Sequence, residues 1–161
     1  MATSPSASLW WATLGVLAMP PVAPVAPHGP GEVVLRGTAA CLDRELEPLA
    51  EGEACPDRPE GGWGLRAEDG ALYRLSATDE RTGILQDPRV RSKPLEIALW
   101  EDGSGELAIV HLYTLIDGRR HAPHYYCELC AIRANAPGPC WCCQAPFELR
   151  EPLVEDESAP E

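Results

Sequence analysis

Basic residues are the first shortage: lysine and arginine total 13 against 25 aspartates and glutamates, a formal net charge of −12. A nucleic-acid partner requires a basic face that neutralises phosphates. The arginines here are scattered, so no nucleic-acid partner is expected, and the acidity reads as a solvated surface. Phenylalanine occurs once, whereas proline occurs 17 times and glycine 14. That composition disfavours a helical bundle and suits short strands joined by turns. No apolar run approaches the roughly 20 residues a membrane-crossing helix needs, so no stable span is expected. Nucleophile elbow, phosphate-cradling loop and metal-hydrolase helix are also missing, and the chain reads as a non-enzyme. A length of 161 residues suits one domain with room for a small appendage.

The ends read as unstructured. Residues 1–31, "MATSPSASLWWATLGVLAMPPVAPVAPHGPG", hold an apolar run from Leu9 to Met19 with the length of a secretory signal's apolar region. No Lys or Arg precedes it and no clean A-x-A site follows. The segment is therefore a candidate signal peptide, with an extended Pro-rich leader as the plainer reading. Export would place the protein in the periplasm or outside the cell; a cytoplasmic location is the alternative. Residues 151–161 read as an acidic solvated tail with too little apolar content to fold.

Residues 32–122 read as strands. "EVVLRGTAACL" opens with β-branched residues, and "GWGLRAEDGALYRLSA" gives two apolar stretches around the turn signal Asp69-Gly70. Leu95, Ile97 and Leu99 alternate with Glu96 and Ala98, the period of a half-buried strand. Asp102-Gly103 and Asp117-Gly118 mark further turns. "TDERTGILQDPRV" has a weak helical look that Pro88 ends or interrupts. The expected class is mainly β: a small, OB-like, partly open antiparallel barrel.

The quoted stretches "LRGTAACL", "GWGLRAEDGALYRL" and "KPLEIALW" resemble a family of small exported bacterial OB-like domains over about half the chain. That resemblance implies a fold and no particular activity. Cys41 and Cys55 flank the polar loop "LDRELEPLAEGEA". In an oxidising compartment a disulfide closing it would contribute about 3 kcal/mol; in a reducing one they are two small residues.

Residues 123–150 carry the densest signal. "YYCELCAIRANAPGPCWCC" holds Cys127 and Cys130 as one C-x-x-C and Cys140 and Cys143 as a second. Pro137-Gly138 forms a turn just before the second pair. Two such turns bring four sulfurs to a tetrahedron about 2.3 Å from a central zinc ion. Few apolar residues accompany them (Ile132, Trp141 and Phe147), so the metal is expected to order the segment in place of a core.

The same stretch, with "QAPFELRE" after it, resembles the short heavy-metal-binding module at the ends of copper- and other metal-efflux proteins, roughly Y-x-C-P-M-H-P … P-G-x-C-P-x-C-G-M-x-L. Cys127, Pro137, Gly138, Cys140 and Cys143 fall on matching positions, with tyrosine ahead of the first cysteine. Cys130 stands where the module has histidine, and Leu129 and Ala145 replace its methionines. Loss of thioethers moves the expected ion away from copper, and a fourth thiolate moves it toward zinc. Zinc is the expected cofactor, with iron in a rubredoxin-like site and copper as alternatives.

Cys142 is the odd sulfur, read as an unpaired thiol or as a replacement for Cys143. His121 and His124 are read as loop residues that could serve as substitute or supporting ligands. His111 is read as packed within a strand, and His28 lies in the leader. The functional expectation is a non-enzymatic metal-binding protein. A thiol–disulfide redox protein and a disulfide-stapled exported scaffold without metal are the competitors. No feature identifies a protein partner.

Overall fold

The computed structural model describes residues 32–50, 53–101 and 107–155. The candidate signal peptide with His28, the Asp102-Gly103 turn and residues 156–161 lie outside the described residues. The structure is mainly β with antiparallel sheets. The body contains β1 (Glu32–Cys41), β2 (Trp63–Ala67), β3 (Leu72–Arg74), a 3-10 turn (Glu80–Gln86), α1 (Pro88–Arg91), β4 (Leu95–Glu101), β5 (Leu107–Ile116) and β6 (Arg119–His121). They form one sheet in the order β3-β2-β1-β4-β5-β6. A parallel bridge between Leu75 and Leu107 joins the end of β3 to the start of β5. The sheet thus folds back on itself through a bridge, where a closed barrel would have a continuous ladder. A second sheet, order β8-β7-β9, is built from β7 (His124–Cys127), β8 (Ile132–Ala134) and β9 (Glu148–Arg150).

The period-two reading of β4 holds on its core face: Leu95, Ile97 and Leu99 are all essentially inaccessible. Its other face departs from the half-buried pattern. Glu96 is 2% exposed, held by Arg36 at 2.7 Å and Arg120 at 2.6 Å. A buried carboxylate persists where charge-assisted hydrogen bonds replace water, and β1 and the β5–β6 hairpin supply both guanidinium groups. That hairpin turns at Asp117 and Gly118, whose φ values of 52° and 74° are the paired left-handed angles of a tight two-residue turn. Gly37 lets β1 approach β2 closely, since a Cβ there would stand 2.0 Å from the Arg66 carbonyl oxygen.

Pro88 starts a helix where it was expected to end one. Asp87 caps α1, accepting a hydrogen bond from the Arg89 N–H at 2.8 Å, and proline suits the first helical position because its missing N–H would have no partner there. His111, expected to be packed, is exposed and stacks on Tyr113 at 6.0 Å. The register shifts between Ala98 and Leu99: Ala98 pairs with His111 and Leu99 with Ile109.

The acidic tail expected from residue 151 begins as a docked strap. The Ala122 N–H donates to the Pro152 carbonyl and the Val154 N–H to the Arg120 carbonyl, both at 2.9 Å. Glu151 accepts from the Thr114 hydroxyl at 2.8 Å and pairs with Lys93. Backbone pairing and one partnered carboxylate order a stretch whose composition reads as solvated.

One core serves both sheets. Trp63, Leu65, Ile84, Leu85, Val90 and Ile109 of the body pack in the same cluster as Tyr125, Cys127, Cys140 and Phe147. The C-terminal lobe is therefore not coreless, and the reason is placement: its buried groups come from β7 and from the second C-x-x-C turn. Trp141, counted among its scarce apolar residues, is 65% exposed.

Candidate metal centre

β7 and β8 form a hairpin, with Cys127 paired to Ile132, and the first C-x-x-C is its turn. Along β7 burial alternates, so Tyr125 and Cys127 face the core together. The second C-x-x-C forms another tight turn: Pro139 and Pro146 bridge, the Cys140 N–H donates to the Ala145 carbonyl at 2.7 Å, and the Gln144 N–H donates to the Cys140 carbonyl at 2.8 Å. The Phe147 N–H reaches back to the Gly138 carbonyl at 2.9 Å, so the expected Pro137-Gly138 turn does bring the chain back on itself.

The two turns repeat one backbone design. In each, the residue after the second cysteine is left-handed, with φ 53° at Ala131 and 63° at Gln144. In each, the first cysteine's sulfur accepts backbone N–H groups from two and three residues on: Leu129 and Cys130 to Cys127, Cys142 and Cys143 to Cys140. Amide donors aimed at a sulfur favour its thiolate, the form a metal requires.

The four predicted sulfurs converge. Those of Cys127, Cys130, Cys140 and Cys143 all lie within 4.8 Å of one another, and Cys127 and Cys143 stand 3.5 Å apart. Sulfurs on a tetrahedron with bonds of about 2.3 Å are separated by about 3.8 Å, so the cluster fits a single ion. Cys127 and Cys140 form a floor, 2% and 0% exposed, while Cys130 is half-buried and Cys143 exposed.

Proton affinities follow the surroundings. The Cys140 thiol is lowered to about 7, chiefly by the Cys143 N–H. Cys127 is raised, because burial outweighs its amide donors. Cys130 is raised by the side chains of Cys142 and Cys143 first, with burial adding to the effect. An ion that binds thiolates displaces whatever protons the sulfurs carry.

The other sequence candidates divide clearly. Cys41 and Cys55 form the expected disulfide, with Cα atoms 5.9 Å apart. His121 bonds the Glu151 carbonyl oxygen through Nδ1 at 2.8 Å. His124 Nδ1 lies 3.1 Å from the Ala122 carbonyl oxygen, and Arg133 covers its ring. Neither joins the sulfur group. Cys142 is exposed and lies near Cys130, outside the four.

Sequence reasoning missed the seam that holds the lobe to the body. The buried Tyr125 hydroxyl donates to Asp87, the same carboxylate that caps α1. Arg89 grips Asp87 through Nε and Nη2 at 2.7–3.1 Å and lowers its pKa to about 2. A tyrosine two residues before the first cysteine, hence on the same face of its strand, was the available signal.

Comparison with protein-family models, with curated proteins and with solved structures finds no match. In the described residues, no helix is long and apolar enough to cross a membrane. Among the described residues, the cluster of four cysteines is the group that could hold a metal ion.

Proposed function

We propose that this chain is a non-enzymatic metal-binding protein in which Cys127, Cys130, Cys140 and Cys143 hold one structural zinc ion. The convergence of those four sulfurs within 4.8 Å carries the reading. Four thiolates with no nitrogen or oxygen donor suit zinc, and suit copper less well given the missing thioethers. A full set of protein ligands keeps no position open for substrate, as expected of a structural site. The Cys41–Cys55 disulfide supports an oxidising compartment and, with it, a periplasmic or secreted protein that handles heavy metals there. An OB-like body is supported by the order of β1 to β5, by the helical segment between β3 and β4 and by the bridge from β3 to β5.

Elemental analysis of the purified chain, with thiol titration before and after chelation, tests the reading. One zinc per chain and thiols that react only after chelation are expected. Less than about half an equivalent, with thiols already free, sinks it.

A thiol–disulfide exchange role has one observation in its favour, the lowered Cys140 thiol. That sulfur is fully buried, and an attacking thiolate needs access. Insulin-disulfide reduction abolished by Cys140→Ser would promote this second reading.

A further inference from the structure

Five thiols compete for four positions at one end of the lobe, and they are not equivalent. Cys127 and Cys140 close the floor against the core. Cys130, Cys142 and Cys143 form a rim open to solvent. Cys142 is built into this rim: its backbone N–H donates to the Cys140 sulfur, and its side chain lies near that of Cys130. It is the immediate neighbour of Cys143, so the two alternate as ligands more readily than they share one small tetrahedron.

We propose that Cys142 is a fifth, exchangeable ligand that swaps with Cys143 and makes the rim a transfer port for a thiophilic metal ion. This rests on the metal-binding reading above and extends it from holding an ion to handing one on. In the exchange, the Cys142 S–H bond breaks and its proton passes to water. A Cys142 sulfur–metal bond forms, the Cys143 sulfur–metal bond breaks, and the Cys143 thiolate takes a proton from solvent. No electrons move, and the centre keeps four thiolates and the same charge. Zinc has no ligand-field preference among such arrangements, so the swap proceeds at small cost. The departing Cys143 lies on the solvent side of the site, which lets an acceptor take its place on the ion before the floor cysteines let go.

The test uses the full chain, loaded with cobalt(II) to count thiolates by charge-transfer absorption and with zinc to follow transfer to a competing chelator. Cys143→Ser is expected to keep four thiolates on cobalt, with affinity within about tenfold of the parent. The double variant Cys142→Ser/Cys143→Ser is expected to fall to three thiolates and lose roughly a further hundredfold. Cys142→Ser alone is expected to keep four thiolates and one zinc while transferring zinc about fivefold more slowly, since the rim then lacks its entering sulfur. Three thiolates in Cys143→Ser, or parental transfer rates in Cys142→Ser, overturn the proposal, and the second measurement decides if Cys143→Ser fails to fold. A parent chain that takes up neither ion overturns the metal reading itself, a result distinguishable from either of these.

Discussion

The body and the C-terminal lobe order themselves by different means around one core. In the body, alternating Leu and Ile residues on β4 and their partners on β2 and β5 bury apolar surface, at about 25 cal/mol per Å². A disulfide then closes the loop between β1 and β2. The lobe has three short strands and two cysteine turns, and its buried set is Tyr125, Cys127, Cys140 and Phe147. Two of those four are thiols whose sulfurs face one another. The difference teaches that cysteine does two jobs here: in the body it trims the freedom of the unfolded chain, and in the lobe it substitutes for side chains that a core would otherwise need.

If the four cysteines hold the proposed zinc ion, its removal should break the comparison most decisively. Chelation, or Cys140→Ser, should cost the lobe about 5 kcal/mol or more. Hydrogen exchange should show β7, β8 and β9 losing amide protection while β1 and β4 keep theirs. Uniform loss across both sheets would mean that the two regions are a single cooperative unit. Replacing Cys41 and Cys55 together by alanine should cost about 3 kcal/mol, the value for a loop of this size, with metal stoichiometry unchanged. A drop in bound metal would show the staple reaching into the lobe.

The seam gives a smaller, pH-dependent effect. Asp87 has its pKa lowered from 3.8 to about 2 in the folded protein by Arg89. Its contribution is therefore fully present above about pH 4 and is lost as pH falls through about 2. Arg89 is largely exposed, and solvent screening reduces the contribution to about 1–2 kcal/mol. The gap in denaturation midpoint between the parent and Asp87→Asn should stay constant above about pH 4 and narrow from there to pH 2. Using the difference between the two proteins cancels the acid lability of the sulfur centre.

The smallest effect compares the two cysteine turns directly. Ala131 and Gln144 hold left-handed angles that glycine adopts without steric cost. Ala131→Gly and Gln144→Gly should each stabilise by about 0.5 kcal/mol, the relief of strain exceeding the added freedom of the unfolded chain. Equal gains would confirm that the turns are mechanical copies; a gain at one alone would show that the surroundings decide.

Much of this was legible in the chain, and what was not has identifiable physical causes. Paired C-x-x-C motifs encode their own geometry because the spacing itself forms the turn, so the four converging cysteines could be named from sequence. The Asp-Gly turns at Asp69 and Asp117 and the alternation through Leu95, Ile97 and Leu99 were readable for the same reason: each signal is local. Long-range partnerships were not. Glu96 reads as a solvent-facing residue until Arg36, 60 positions away, is seen beside it. Asp87 and Tyr125 are separated by 38 positions, and nothing in either neighbourhood announces the other. His111 was misjudged because strand alternation says which face a residue occupies, not whether that face is covered. The strap after Arg150 was hidden for a related cause, since backbone hydrogen bonds leave no trace in composition.

That strap also has an engineering consequence. The chain enters the lobe at Ala122 and leaves it at Pro152, and one backbone hydrogen bond of 2.9 Å spans the two points. Entry and exit are adjacent, as in the arms of a hairpin. Changes of length within the lobe's loops therefore leave the body's chain path untouched, while the shared core keeps the lobe's buried residues tied to the body.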